Sequence, residues 1–158
     1  MNKNKSTIIV VIVIVIVLVV LFALPRLGDS NRETVKRWKE SGVNCLSNHA
    51  NAALHIHPEL KIIVDGREAI VPANIGIVRT CMAEIHTHDA TGTIHIESVL
   101  SGKTFTLAQF FTVWGESLER EGFTLAMMVD AVPKGELDNL VLRDKQKIVL
   151  GYNKLINQ

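Results

Sequence analysis

Cysteine is scarce in this chain: its 158 residues include only Cys45 and Cys81, with no C-x-x-C pair. A thioredoxin-like redox role therefore has no support. Charge of one sign is equally lacking. Of 17 basic side chains, Lys3 and Lys5 precede a long apolar run, which leaves 15 basic against 16 acidic residues in the remainder. That balance disfavours nucleic-acid binding through a net basic surface. No low-complexity tract occurs, so disordered and collagen-like classes fall away. G-x-G-x-x-G, P-loop, G-x-S-x-G and H-E-x-x-H signatures are all missing, which removes the common nucleotide-binding, hydrolase and zincin classes. A cupin-like pattern is matched only superficially, since Glu59 follows His57 too closely and Glu97 follows His88 too late.

Ile8 to Leu24 is an unbroken apolar run of 17 residues. As a helix it would reach roughly 25 Å, just enough to span a bilayer with help from its flanks. Ile and Val crowd every face of it, so a buried helix of a soluble core is a poor alternative. Ala23, Leu24 and Pro25 end the run without an A-x-A cleavage pattern, and the run is longer than a signal peptide requires. The expectation is an uncleaved signal anchor over 1–25. Basic residues flank it on both sides, so the charge count alone does not orient it. A short N-terminal anchor ordinarily places its large domain outside, with the N-terminus cytoplasmic.

Residues 26–47 are polar and charged and read as a linker or helical spacer, with helix over Glu33 to Lys39. The third segment, 48–158, reads as a small α+β domain, mainly antiparallel, with one or two short helices. Leu54 to Val64 alternates apolar and polar residues up to Asp65-Gly66, a favoured hairpin turn, and Arg67 to Val71 returns. Ala83 to His88 and Thr93 to Ser98 form a second hairpin around Asp89 to Gly92. Thr106 with Gln109 reads as a capping box, opening a helix that carries Phe110, Phe111 and Trp114 and stops at Gly115. Thr124 to Val129 and Lys147 to Leu150 complete the strands, and a grasp-like arrangement is one option for the last third.

All six histidines fall between His49 and His95, and the last 63 residues have none. Two H-x-H pairs, His55/His57 and His86/His88, lie on expected strands, where residues two apart share a face. With the loop at 89–92, His86 falls opposite His95, His88 opposite Thr93 and Glu84 opposite Glu97, all on one face. Slipping the register by two residues keeps the faces, and only a bulge would break them. Ile85, Thr87, Ile94 and Ile96 then form the core face. Glu84 opposite Glu97 is unfavourable unless a cation or an imidazolium intervenes.

Three or more converging imidazoles suit a borderline divalent ion, copper or zinc. His55, His57, His86, His88 and His95 are the candidate ligands, and His49 is the weakest candidate. Glu84, Glu97 and Asp89 could orient ligands or move a proton. Met82, Met127 and Met128 would offer sulfur to Cu⁺ if they reach the site. The alternatives are a plain polar sheet face and a metal-free, pH-responsive surface. Cys45 and Cys81 each precede an H-x-H segment and read most economically as a disulfide. Thiolate ligation of copper and two reduced, buried cysteines are the alternatives.

The strings HIHPELKIIVDGREAIVPANIGI, CMAEIHTHDATGTIHIES and FTLAQFFTVWG resemble a set of small membrane-anchored outer domains of archaea and actinobacteria. The likeness covers most of Cys45 to Trp114, and the end of the chain is similar too. One departure is Met82, Ala83 and Glu84, where the set often carries aromatics. The resemblance implies an exported, metal-linked domain of that His-rich family and no particular reaction. Three functions remain open: an anchored protein that stores, delivers or senses a metal ion; a metalloenzyme with Glu84 or Glu97 as base; and an accessory subunit of a membrane complex using Phe110, Phe111 and Trp114 as an exposed anchor, although their helical spacing puts all three on one side and favours the core.

Overall fold

A computed structural model of the chain describes residues 12–14, 31–46, 52–135 and 139–155. The chain divides into two compact units, Met1–Thr34 and Val35–Gln158. In the first unit, residues 12–14 are helical. The rest of the expected anchor at 8–24 lies outside the described residues. Among the described residues no helix is long and apolar enough to cross a membrane.

Helix α1 spans 31–40, overlapping the helix expected over Glu33 to Lys39. Its later part belongs to the second unit and is more than a spacer. Trp38 and Val43 are buried in the core, and the Trp38 indole donates to the Val113 carbonyl at 3.0 Å. Each large apolar side chain so buried contributes roughly 1.5–3 kcal/mol.

The second unit is α+β, with mostly antiparallel strands in three sheets. One holds β1 (Leu54–Ile56), β7 (His95–Ser98) and β6 (Ile85–His86), in the order β1-β7-β6. A second, of five strands, is built from β2 (Glu59–Val64), β3 (Arg67–Ala69), β8 (Phe123–Val129), β9 (Val132–Lys134) and β10 (Lys147–Lys154). Its order is β3-β2-β10-β8-β9, with β10 parallel to β2 and the other pairs antiparallel. The third is a two-stranded ribbon of β4 (Ile77–Val78) and β5 (Cys81–Met82).

The alternating run Leu54 to Val64, expected as one strand, is divided at Pro58 between two sheets. Proline has no amide proton for a ladder and restricts the residue before it, so β1 ends and β2 begins around it. The Pro58 carbonyl instead accepts from Ile94 at 2.9 Å, which joins the two sheets at this corner. Beside it the Leu60 amide donates to the Gly92 carbonyl at 2.8 Å. Gly92 has φ +86°, and a Cβ there would stand 2.2 Å from the Leu60 carbonyl oxygen, so only glycine fits. The expected turn is present, with Asp65 and Gly66 at φ 48° and 76°.

Helix α2 (Leu107–Trp114) carries the expected capping box, Thr106 with Gln109, and a left-handed C-cap at Gly115. It packs against β6. Phe110 and Phe111 are buried in the core, which removes them as an exposed anchor, and Trp114 is packed against it.

Candidate metal centre

The second hairpin adopts the expected register: Ile85 pairs with Ile96 and His86 with His95. Ile85, Thr87, Ile94 and Ile96 are fully buried, so the opposite face carries the histidines. On the other side of β7, His55 pairs with Glu97. β7 is thus the central strand, and His95 stands between the histidines of β1 and those of β6. His57 lies just beyond β1, its ring centroid 4.6 Å from that of His55.

Five of the six histidines gather into two overlapping trios, His55/His57/His95 and His86/His88/His95, the candidate ligand atoms of each lying within 4.8 Å of one another. His49 lies outside the described residues. The His95 ring is 4.8 Å from His57, 4.6 Å from His88 and 5.6 Å from His86, centroid to centroid. Modest ring rotations bring such nitrogens to the ~3.3 Å edge of a tetrahedron with bonds of 2.0–2.1 Å. The Nε2 atoms of His86 and His88 are already 3.1 Å apart.

Polar groups flank the rings. His86 Nδ1 is 2.9 Å from the Ala83 carbonyl oxygen. A carbonyl only accepts, so Nδ1 carries the proton and the lone pair is on Nε2, facing His88. His55 Nε2 stands 3.3 Å from the Glu97 carboxylate, which leaves Nδ1 for an ion. The His57 amide donates to Asp144 at 2.9 Å, and its Nδ1 lies 3.9 Å from the same oxygen. A carboxylate or carbonyl behind a ligand histidine is the usual device for fixing ring and tautomer.

Burial lowers the His86 pKa to about 4, with His88 adding to the effect and the Ala83 bond and Glu97 opposing it. His95 is also lowered, first by burial and then by His88 and His57. Both rings are therefore neutral near pH 7, the form that binds metal. Asp89 is lowered by bonds from the Thr91 hydroxyl and amide.

Glu84 and Glu97, expected to face each other across the hairpin, are used differently. The residue before β6 is a bend rather than a strand position. Glu84 accepts from the Asn44 amide and the Ser98 hydroxyl, each at 2.8 Å, and pairs with Lys103. Lys103 thus supplies a cation to Glu84, while Glu97 has His55 beside it. Neither Lys103 nor Asp144 is a partner that sequence spacing points to. Met127 and Met128 lie on β8 and Met82 on β5, in sheets other than the histidine-bearing one.

Cys45 and Cys81 form a disulfide with a Cα separation of 5.3 Å, which removes thiolate ligation and free thiols as alternatives. Around it Cys45 bridges Ala83, and the Leu46 amide donates to the Met82 carbonyl at 2.7 Å. The crosslink therefore braces the segment whose Ala83 carbonyl orients His86. No protein-family model, curated protein or solved structure matches the chain.

Proposed function

We propose that this protein is a membrane-tethered metal-binding protein that stores, delivers or senses a copper or zinc ion outside the cytoplasm. The observation that carries the reading is the convergence of five imidazoles on one face of the β1-β7-β6 sheet, grouped in trios around His95. An all-imidazole donor set suits Zn²⁺ and Cu²⁺ alike. The extracytoplasmic location is supported by the disulfide, a bond favoured in oxidising compartments, and the tether by the 17-residue apolar run Ile8 to Leu24. The same features support membership in the anchored His-rich set that the chain resembles. The strand order of the five-stranded sheet, a hairpin on each side of a central parallel pair, supports a grasp-like reading of the C-terminal part.

A second reading has one observation in its favour. Each trio leaves a coordination position open, and the Glu97 carboxylate lies 3.3 Å from His55, so a metal-bound water with Glu97 as base would make the protein a metalloenzyme.

The test is elemental analysis and Zn²⁺ and Cu²⁺ titration of the full-length chain and its His95→Ala variant, with thermal unfolding as the folding control. His95 belongs to both trios, so its loss lowers affinity by at least ~100-fold, beyond the 10–100-fold typical of losing an outer partner. Equal affinity in a folded variant would overturn the reading.

A further inference from the structure

We propose that the five imidazoles form two ion positions sharing His95, an inner one of His86, His88 and His95 and an outer one of His55, His57 and His95, between which a single ion is handed over. This inference rests on the metal-binding reading above and specifies how that site works.

The sheet order supplies the first argument. β7 is central, so His95 faces β6 neighbours on one side and β1 neighbours on the other. The trios overlap in that ring alone. The second argument is burial. His86 is fully buried and His88 exposed, while the His55 and His57 side chains are 52% and 40% exposed. The inner position is therefore anchored by one core ring, whereas both rings peculiar to the outer position meet solvent. Third, each position has its own polar neighbours: the Ala83 carbonyl bonded to His86, and the Glu97 and Asp144 carboxylates 3.3 and 3.9 Å from the His55 and His57 rings. A set of spare ligands around one ion would not need two independent supports.

Transfer is ligand exchange with no change of oxidation state. The ion keeps its bond to His95, and as a bond to a His57 or His55 nitrogen forms, one to His88 or His86 breaks. Simultaneous occupancy would hold two dications around one imidazole, where their repulsion is poorly screened, so the positions exclude each other.

The experiment uses Zn²⁺ with the full-length chain in detergent, measuring stoichiometry by equilibrium dialysis and release by stopped-flow transfer to a chelator. Wild type is expected to hold one Zn²⁺ per chain. The His55→Ala/His57→Ala variant keeps one Zn²⁺ in the inner position but releases it at least ~10-fold more slowly, the scale on which ligand surroundings alter metal binding. His88→Ala, a change at an exposed residue that leaves the buried His86 intact, keeps one Zn²⁺ in the outer position and releases it faster than wild type. Release from the His55→Ala/His57→Ala variant at the wild-type rate, or two Zn²⁺ bound at once by wild type, would overturn the hand-over alone. A wild type that binds no Zn²⁺ would overturn the metal-binding reading itself.

Discussion

The Nδ1 proton of His86 is committed to the Ala83 carbonyl at 2.9 Å, and this bond makes Nε2 the acceptor in its 3.1 Å hydrogen bond with His88 Nε2. The buried ring is thereby fixed in one tautomer and one orientation.

A pH dependence of stability follows. The folded-state pKa of His86, about 4, lies below the ordinary 6.5. Between those values the unfolded chain binds the extra proton, so stability is full above pH ~6.5 and falls as the pH drops toward 4, by on the order of 3 kcal/mol. Urea unfolding of the metal-free protein at pH 7 and pH 4.5 measures it. In His86→Gln this component of the pH dependence disappears; an unchanged slope would count against the assignment.

Gly92→Ala tests the corner between the sheets. The added methyl meets the Leu60 carbonyl at 2.2 Å and forces a positive φ on alanine, a combination expected to destabilise the fold by about 3 kcal/mol or more. Gly102→Ala, where nothing lies within 4 Å, is the control and should change stability by less than ~0.5 kcal/mol. Thermal melting of the two variants side by side decides the point.

Lys103→Met should strand the buried Glu84 carboxylate. Removing one member of a buried ion pair costs about 3–5 kcal/mol, and the retained Asn44 and Ser98 bonds keep this case at the low end. Adding Glu84→Gln removes the stranded charge and should recover most of the loss. A double-mutant cycle by denaturant titration measures the coupling, and additive losses would show that the pair is not coupled.

Replacing both cysteines by alanine removes the Cys45–Cys81 crosslink. In the chain-entropy model a loop of sequence separation 36 is worth roughly 3–4 kcal/mol. Because the crosslink braces the Ala83 segment, zinc affinity should fall as well, by about 10-fold, as for loss of an orienting partner. Calorimetric melting and zinc titration test the two effects separately.

Local signals proved readable in the sequence. Asp65-Gly66 and the Thr106, Gln109 and Gly115 caps each act within a few residues, and the loop at 89–92 pointed to the pairing of His86 with His95, with a two-residue slip as its alternative. Pro58 was equally visible, yet the apolar alternation running through it outweighed it, and one expected strand became two. The contacts of Lys103 with Glu84 and of Asp144 with His57 depend on how distant segments return to the sheet, which no periodicity encodes. The parallel pairing of β10 with β2 is hidden for the same reason.

That pairing carries a kinetic consequence. The hairpins close over short loops and can form early, whereas Glu59 meets Lys147 only after most of the intervening polypeptide has been organised. Until the final strand docks, β2 and β8 each keep an open edge, the first of them next to the corner that carries His57 and Gly92, and during biogenesis both edges can mispair with another copy.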